Sequence, residues 1–155
     1  MIVQIYSMTS VADAVATAEA GADLIGVVIA EPGVVAEGIG AETARAALSA
    51  IRPRARGVAL SLSDDRDEIC AMVDAVRPDI VHIAAREIEP EDCAWIRKRV
   101  APVRLLRAIA VRAGETIAEA DAHQEAVKRF VRDGELIRRW AGFVLVGPGR
   151  PASAP

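Results

Sequence analysis

Residues 57–83 read GVALSLSDDRDEICAMVDAVRPDIVHI, and this stretch contains a complete strand–helix–strand unit. Gly57–Leu62 and Asp79–Ile83 are short and apolar, whereas the segment between them repeats its apolar residues with a helical period. Ser63 or Asp64 is in position to cap that helix. Because two strands joined by a crossover helix lie parallel, the stretch predicts a parallel α/β fold.

The same alternation of short apolar runs and longer Ala-rich segments extends along the rest of the chain. The further strands that it predicts are Ile2–Tyr6, Asp23–Ala30, Val103–Val111 and Gly142–Val146. The further helices are one from Thr9 or Ser10 to Gly21 and those at Ala41–Ile51, Glu89–Val100 and about Glu115–Trp140. A Gly-rich loop is expected at Pro32–Gly40.

Composition and charge exclude several classes of protein. The chain has 155 residues, is 52% hydrophobic and only 3% aromatic, which suits one domain with a single aliphatic core. Its net charge is −3, and its 19 basic residues are interspersed with 22 acidic ones, so no nucleic-acid partner is expected. No apolar run approaches the roughly 18 residues of a membrane span. We expect a soluble, cytoplasmic protein with no membrane partner.

The sequence contains no motif for a metal or an organic cofactor. Cys70 and Cys93 stand alone in helical patterns, without CxxC or histidine spacing, which is typical of buried free thiols. There is no GxGxxG, GxxxxGK(S/T) or HExxH pattern, and no Ser/His/Asp arrangement. We therefore expect neither a cofactor nor a metal.

Several segments resemble the phosphoribosylanthranilate isomerase family. Near the N-terminus, VQIYSMT at 3–9, DA at 13–14 and GADLIGVV at 21–28 are similar to the family's V-K-I-C-G-L-T, D-A and G-A-D-x-I-G-F-V. Further on, PDIVHI at 78–83 with Glu87 resembles P-D-x-V-Q-L-H-G-x-E, and RAI at 107–109 resembles K-A-I. The order and spacing of these segments agree with the family up to about residue 111.

The resemblance implies a (β/α)8 barrel, the TIM-barrel fold, of which this chain would form a part with about six parallel strands and their crossover helices. We expect one incomplete barrel domain at residues 1–147 and a flexible C-terminal tail at 148–155. An incomplete barrel leaves its first and last strands with unpaired edges. An open doubly wound sheet, a homodimer that pairs the edges, or a missing C-terminal part would account for them.

The resemblance also implies an activity. Members of the family catalyse an aldose–ketose Amadori rearrangement of a phosphoribosyl-amine in tryptophan biosynthesis, with one general base and one general acid. The family's catalytic cysteine stands at Tyr6 in this sequence, its adjacent glycine at Ser7, its lysine at Gln4 and its catalytic aspartate at Val146. Three interpretations stay open: an isomerase with substituted residues, a non-catalytic relative that binds a small phosphorylated metabolite, and a truncated copy held together by self-association.

Five residues are candidates for a site at the C-terminal ends of the strands. As catalytic candidates, Tyr6 can act as a weak acid or hydrogen-bond donor, His82 can exchange a proton near neutral pH, and Glu31 is the carboxylate after the second strand. Each has an ordinary alternative, namely a partly buried ring, a structurally satisfied histidine or a solvated loop carboxylate. Ser7, at the family's glycine position, and Arg107, whose guanidinium can bind a phosphate, are the substrate-binding candidates.

Overall fold

Strands and helices alternate through the part of the chain that the computed structural model describes, residues 2–30, 34–85 and 87–108. Up to residue 108 each predicted element is present, with ends within two residues of the prediction, except that the last strand ends at Arg107 instead of Val111. The elements are β1 (Gln4–Ile5), α1 (Val11–Glu19), β2 (Leu24–Ile29), β3 (Gly38–Ile39), α2 (Ala41–Ala50), β4 (Arg56–Ser61), α3 (Arg66–Val76), β5 (Ile80–Ile83), α4 (Pro90–Arg99) and β6 (Arg104–Arg107).

The strands form one parallel sheet in the order β1-β2-β4-β5-β6. The register aligns His82 of β5 with Leu60 of β4 on one side and with Leu106 of β6 on the other. Apart from β3, neighbours in the sheet follow one another along the chain, because each crossover helix returns the chain to the next position. The predicted parallel α/β class is confirmed.

The short strand β3 was not predicted, because it lies inside the Gly-rich segment at Pro32–Gly40, where a loop was expected. It pairs Gly38 with Val28 and Ile39 with Ile29, at the C-terminal end of β2. Two residues are too few to show the alternation that marks a strand. β3 brings the described strands to six, whereas the sixth strand of the prediction, Gly142–Val146, and the helix before it lie outside the described residues.

Helix α1 begins and ends as its sequence predicts. The Ser10 side chain caps its first turn, with Oγ accepting a hydrogen bond from the Asp13 amide at 3.1 Å. The helix is followed by Gly21, whose φ of +96° lies in the left-handed region that side chains disfavour. The chain therefore turns directly from α1 towards β2.

The predicted cap of α3 was wrong, because Asp65 occupies that position in place of Ser63 or Asp64. The Asp65 carboxylate accepts hydrogen bonds from the amides of Asp67 at 2.7 Å and Glu68 at 3.2 Å. The Ser63 hydroxyl is used one step earlier, since it accepts from the Asp65 amide at 3.0 Å and donates to the Glu68 carboxylate at 2.7 Å. A serine-supported turn thus precedes the helix and delays its start.

The two faces of the sheet have different surroundings. One face packs against the helices in two clusters, which include Ile25 and Ala59 in the first and Val81 and Ile83 in the second. The opposite face, here called the inner face, carries the alternate residues of each strand. Its core is a third cluster formed by Leu24, Val58 and Ile80, with Tyr6 and Leu106 packed against it.

Cys70 on α3 and Cys93 on α4 are buried free thiols in the second helix-covered cluster, as the sequence predicted. Burial raises the pKa of each thiol above its usual value. Both therefore stay protonated at neutral pH and contribute to the core as small apolar groups.

The described helices have 9 to 11 residues each. None of these described helices combines the length and the apolar character that crossing a bilayer requires.

Candidate functional site

Tyr6 and His82 meet on the inner face of the sheet, although 76 residues separate them in sequence. The Tyr6 hydroxyl lies 2.5 Å from Nδ1 of His82, and the two ring centroids are 5.6 Å apart with a tilt of 48°. Tyr6 follows β1 and His82 lies in β5, so in a flat sheet three steps of about 4.8 Å would separate their strands. Their contact indicates that the sheet curves towards its inner face, as the wall of a barrel does.

Gly26 of β2 makes room for this contact. The Tyr6 ring lies directly over Gly26, where an added Cβ would come within 2.2 Å of Cδ1 of the ring. Real side-chain atoms do not approach so closely, so any larger residue at this position would displace the ring. The aromatic ring thus crosses β2 to reach the inner face near β5.

Burial keeps both members of the pair neutral at physiological pH. It raises the pKa of Tyr6 above its usual value, an effect that the nearby Gln4 side chain partly opposes. Burial, together with the positive charge of Arg107, lowers the pKa of His82 to about 4. When the Tyr6 hydroxyl donates a hydrogen bond to Nδ1, the single ring proton of His82 lies on Nε2. The pair then presents an N–H donor and retains no charge.

Ser7 lies at the turn that follows Tyr6, and its backbone has an unusual conformation. Its φ is +66°, a left-handed value that costs a residue with a side chain roughly 1–2 kcal/mol. The residue is exposed. The resemblance places a glycine of the isomerase family at this position, and a glycine would adopt the same conformation without that cost. Ser7 therefore carries backbone strain beside the Tyr6–His82 pair.

Arg107 lies on the opposite side of β6 from this pair. Its partner in the register is Ile83, whose side chain packs among the helices, whereas His82 is aligned with Leu106. The guanidinium donates to the backbone carbonyl oxygens of Ile83 at 3.3 Å, Ala85, and Ile88 at 3.2 Å. Arg107 thus holds the segment between β5 and α4, and it acts on His82 through its charge.

Gln4 was noted from the sequence only as the counterpart of the family's lysine. It precedes Tyr6 by two residues, which places both side chains on the inner face. Its amide nitrogen and oxygen are buried and lie near the Tyr6 hydroxyl, but within the described part of the chain neither reaches Tyr6 or another partner with hydrogen-bond geometry. A buried amide without partners is costly, so Gln4 is a further candidate ligand contact. The sequence could have suggested Gln4 as a site residue, because it is a polar residue at an inward position of an apolar strand.

The structure therefore brings Tyr6 and His82 together, places Ser7 beside them, and directs the side chain of Arg107 elsewhere. Glu31, the third catalytic candidate, lies outside the described residues.

Comparison with known proteins identifies the relatives of this chain. It is 32% identical over 133 residues to the N-(5'-phosphoribosyl)anthranilate isomerase of Rhodopseudomonas palustris strain BisA53, an alignment that covers 84% of this chain. The chain is a homologue of the phosphoribosylanthranilate isomerases. It spans 58% of the length of the R. palustris isomerase. No family model matches the sequence.

Two solved phosphoribosylanthranilate isomerase structures share the fold. One is a complex with reduced 1-(o-carboxyphenylamino)-1-deoxyribulose 5-phosphate, with TM-score 0.68, 24% identity, and coverage of 81% of this chain and 62% of that one. The other describes monomers generated from the dimeric isomerase of Thermotoga maritima, with TM-score 0.67, 23% identity and the same coverage. This likeness confirms the partial TIM-barrel fold, because the described strands form a parallel β/α sheet like that of these isomerases.

Proposed function

We propose that this protein is an isomerase of the phosphoribosylanthranilate type, which acts on a phosphorylated ribosyl-amine held over the Tyr6–His82 pair. Homology over most of the chain supports the proposal. The observation that carries it is the 2.5 Å contact between Tyr6 and His82, because two candidates chosen from sequence meet near the C-terminal ends of strands. Enzymes of the barrel fold have their chemistry at that end.

His82 is suited to the acid half of the reaction. Opening the aminoribose ring breaks the bond between the anomeric carbon and the ring oxygen, while the amine lone pair forms a C=N bond. The ring oxygen becomes negatively charged and takes its proton from solvent. The Nε2 proton of the neutral imidazole can stabilise that developing charge through a hydrogen bond. The Tyr6 hydroxyl holds Nδ1 and so fixes which nitrogen carries that proton.

The base half of the reaction requires another group. It removes the proton from the sugar carbon next to the C=N bond, and the resulting enamine rearranges to the ketose. Tyr6 is unsuited to this step, because burial raises its pKa and keeps the hydroxyl protonated. Glu31 remains the candidate base predicted from sequence.

The protonated state of Tyr6 favours a second candidate function, binding without turnover. The resemblance places the family's catalytic cysteine at this position, and a protonated phenol accepts no proton from the sugar. Such a protein would bind a small phosphorylated metabolite through the same inner face. It would be saturated by ligand and release no product.

The experiment is a turnover assay with phosphoribosylanthranilate on folded protein of measured size, followed by the decrease in substrate fluorescence. We expect turnover in the unmodified protein and a loss of about 100-fold or more in His82→Gln. His123→Gln, which changes the only other histidine, is the matched control and should retain activity.

The outcomes separate the two functions. Turnover that depends on His82 and not on His123 supports the isomerase. Saturable binding without product, measured by calorimetry with the same substrate, supports the binding protein. A folded sample that neither binds nor converts phosphoribosylanthranilate would overturn both.

A further inference from the structure

Two arginines lie on the inner face at the end of the sheet opposite to Tyr6 and His82. Arg56 is the first residue of β4, and Arg104 is the first residue of β6. The register aligns Arg104 with Ile80 and Ile80 with Val58, and both of these apolar residues belong to the inner-face cluster. Arg56 precedes Val58 by two residues in the same strand, so its side chain starts from the same face. These two residues are called the arginine pair below.

The arginine pair lines one cleft of about 310 Å³, together with Pro78, Asp79, Pro102 and Val103. Only β5 separates the two strands that carry the pair. The two strands are therefore about 10 Å apart, which is two steps of the usual strand spacing. Because Arg104 is aligned with Val58, Arg56 also lies two residues, about 7 Å, further along the strand direction, so the two Cα atoms are roughly 12 Å apart. Two long side chains that start at this separation can converge on a small group between them.

The positive charge of the pair is not neutralised within the described part of the chain. Among the described residues that line the cleft, Asp79 is the only acidic one. Its two carboxylate oxygens are already engaged, one with the Arg52 guanidinium at 3.2 Å and the other with the Gly57 amide at 2.8 Å. Neither guanidinium of the pair forms an ion pair or hydrogen bond with a described residue.

The electrostatics agree with this geometry. Burial lowers the pKa of Arg104, the charge of Arg56 lowers it further, and Asp79 opposes these effects. A neighbouring cleft is lined by Arg77 and Arg99, and there a lining carboxylate, that of Asp74, pairs with Arg99 at 2.9 Å. Two like charges that share a cleft repel each other unless an anion lies between them.

We propose that the arginine pair binds a doubly charged tetrahedral oxyanion, inorganic phosphate or the phosphate group of a metabolite, in this cleft. A guanidinium presents parallel N–H donors that match two oxygens of a phosphate. Two guanidiniums can therefore bind the phosphate oxygens and balance both negative charges of the dianion. The site lies at the N-terminal ends of the strands and is separate from the substrate position proposed above. It does not depend on turnover.

The test follows the arginine side-chain Nε–H signals by NMR while inorganic phosphate is added at constant ionic strength, with chloride as the balancing anion. Arg56→Gln and Arg104→Gln assign the two signals, and the exposed Arg45 on α2 provides the matched control Arg45→Gln. We expect the Arg56 and Arg104 signals to shift with one common saturation curve. Each variant of the pair should weaken phosphate binding about tenfold or more, and the control should not.

Two outcomes would overturn the proposal. One is that the Arg56 and Arg104 signals shift linearly with phosphate concentration and by the same amount as the Arg45 signal. The other is that Arg45→Gln weakens phosphate binding as much as the variants of the pair do. Because Arg56 is exposed, its variant keeps the test decisive even if Arg104→Gln fails to fold. Inorganic phosphate alone is the probe, so a failure of isomerase activity leaves this result unaffected.

Discussion

The imidazole of His82 is neutral in the folded protein over a pH range in which a free histidine gains a proton. Its pKa is about 4 when folded, because it is buried and lies near Arg107, and about 6.5 in an unfolded chain. Between these values the unfolded state binds more protons, so the free energy of unfolding decreases as the pH falls. The stability that neutral His82 contributes to the folded state is fully present above a pH of about 6.5 and is lost as the pH approaches about 4.

We therefore predict that acidification from pH 7 to 5 destabilises the protein more than it destabilises His82→Gln. The difference should approach about 1.4 kcal/mol for each pH unit below pH of about 6.5. Urea unfolding at pH 7, 6 and 5 measures it, with His123→Gln as the control. Parallel stability curves for the protein and His82→Gln would contradict the lowered pKa.

Ser7 is predicted to respond to substitution by glycine with a gain in stability. The left-handed φ of +66° penalises a side chain, and Ser7→Gly removes the penalty at some cost in unfolded-chain entropy. We expect a net increase in the free energy of unfolding of about 0.5–1 kcal/mol. Ser7→Ala keeps the Cβ and is the control. An equal gain from Ser7→Ala would show that the backbone conformation is not the cause.

At the scale of a single helix, Asp65 is predicted to determine the stability of the α3 N-terminus. Asp65→Ala removes the carboxylate that accepts from the Asp67 and Glu68 amides. We expect a loss of about 1 kcal/mol in the free energy of unfolding. Asp64→Ala changes the same residue type one position earlier and should have almost no effect. A larger loss of stability in Asp64→Ala than in Asp65→Ala would show that Asp64 caps the helix, as the sequence suggested.

Arg107 links two elements, since it lies in β6 and donates to carbonyls of the segment between β5 and α4. Arg107→Met should destabilise the protein by about 2–3 kcal/mol, because buried carbonyls lose a charged donor. It should also raise the pKa of His82, because a nearby positive charge disappears. NMR titration of the His82 ring and urea unfolding measure the two effects.

Arg107→Lys is the matched control for this variant, because it retains the charge and loses the planar fork of donors. We expect it to leave the pKa of His82 low and still reduce stability. An unchanged pKa in Arg107→Met would show that the charge of Arg107 does not reach His82.

At the scale of the molecule, the fold of the described residues was predictable because its signals are local. The stretch at 57–83 contains its own strand, helix and strand, and the apolar periods of its segments decide their type without reference to distant residues. The exceptions arise where local signals compete or are too short. Asp65 competed with Ser63 and Asp64 for one cap, and β3 has only two residues.

The arrangement of the site was less predictable, because it depends on strand order and curvature. The sequence could nominate Tyr6 and His82 separately, but their contact joins residues 76 positions apart. The sequence also placed Arg107 in a strand, but it did not determine which face of the sheet the side chain would occupy. A shift of one residue in the strand register moves a side chain to the opposite face. The unpartnered amide of Gln4 became visible only when its surroundings were known.

The Tyr6 ring over Gly26 limits the order in which these two positions can evolve. While position 6 is tyrosine, every substitution at position 26 meets the ring, so that glycine is held in place by its neighbour. A lineage could change Gly26 only after Tyr6 had been replaced by something smaller. A smaller residue at position 6, such as cysteine, would leave Gly26 uncovered without any second mutation, although it would also remove the contact with His82. Their mutational history therefore has a direction, which an ancestral reconstruction of both positions can trace.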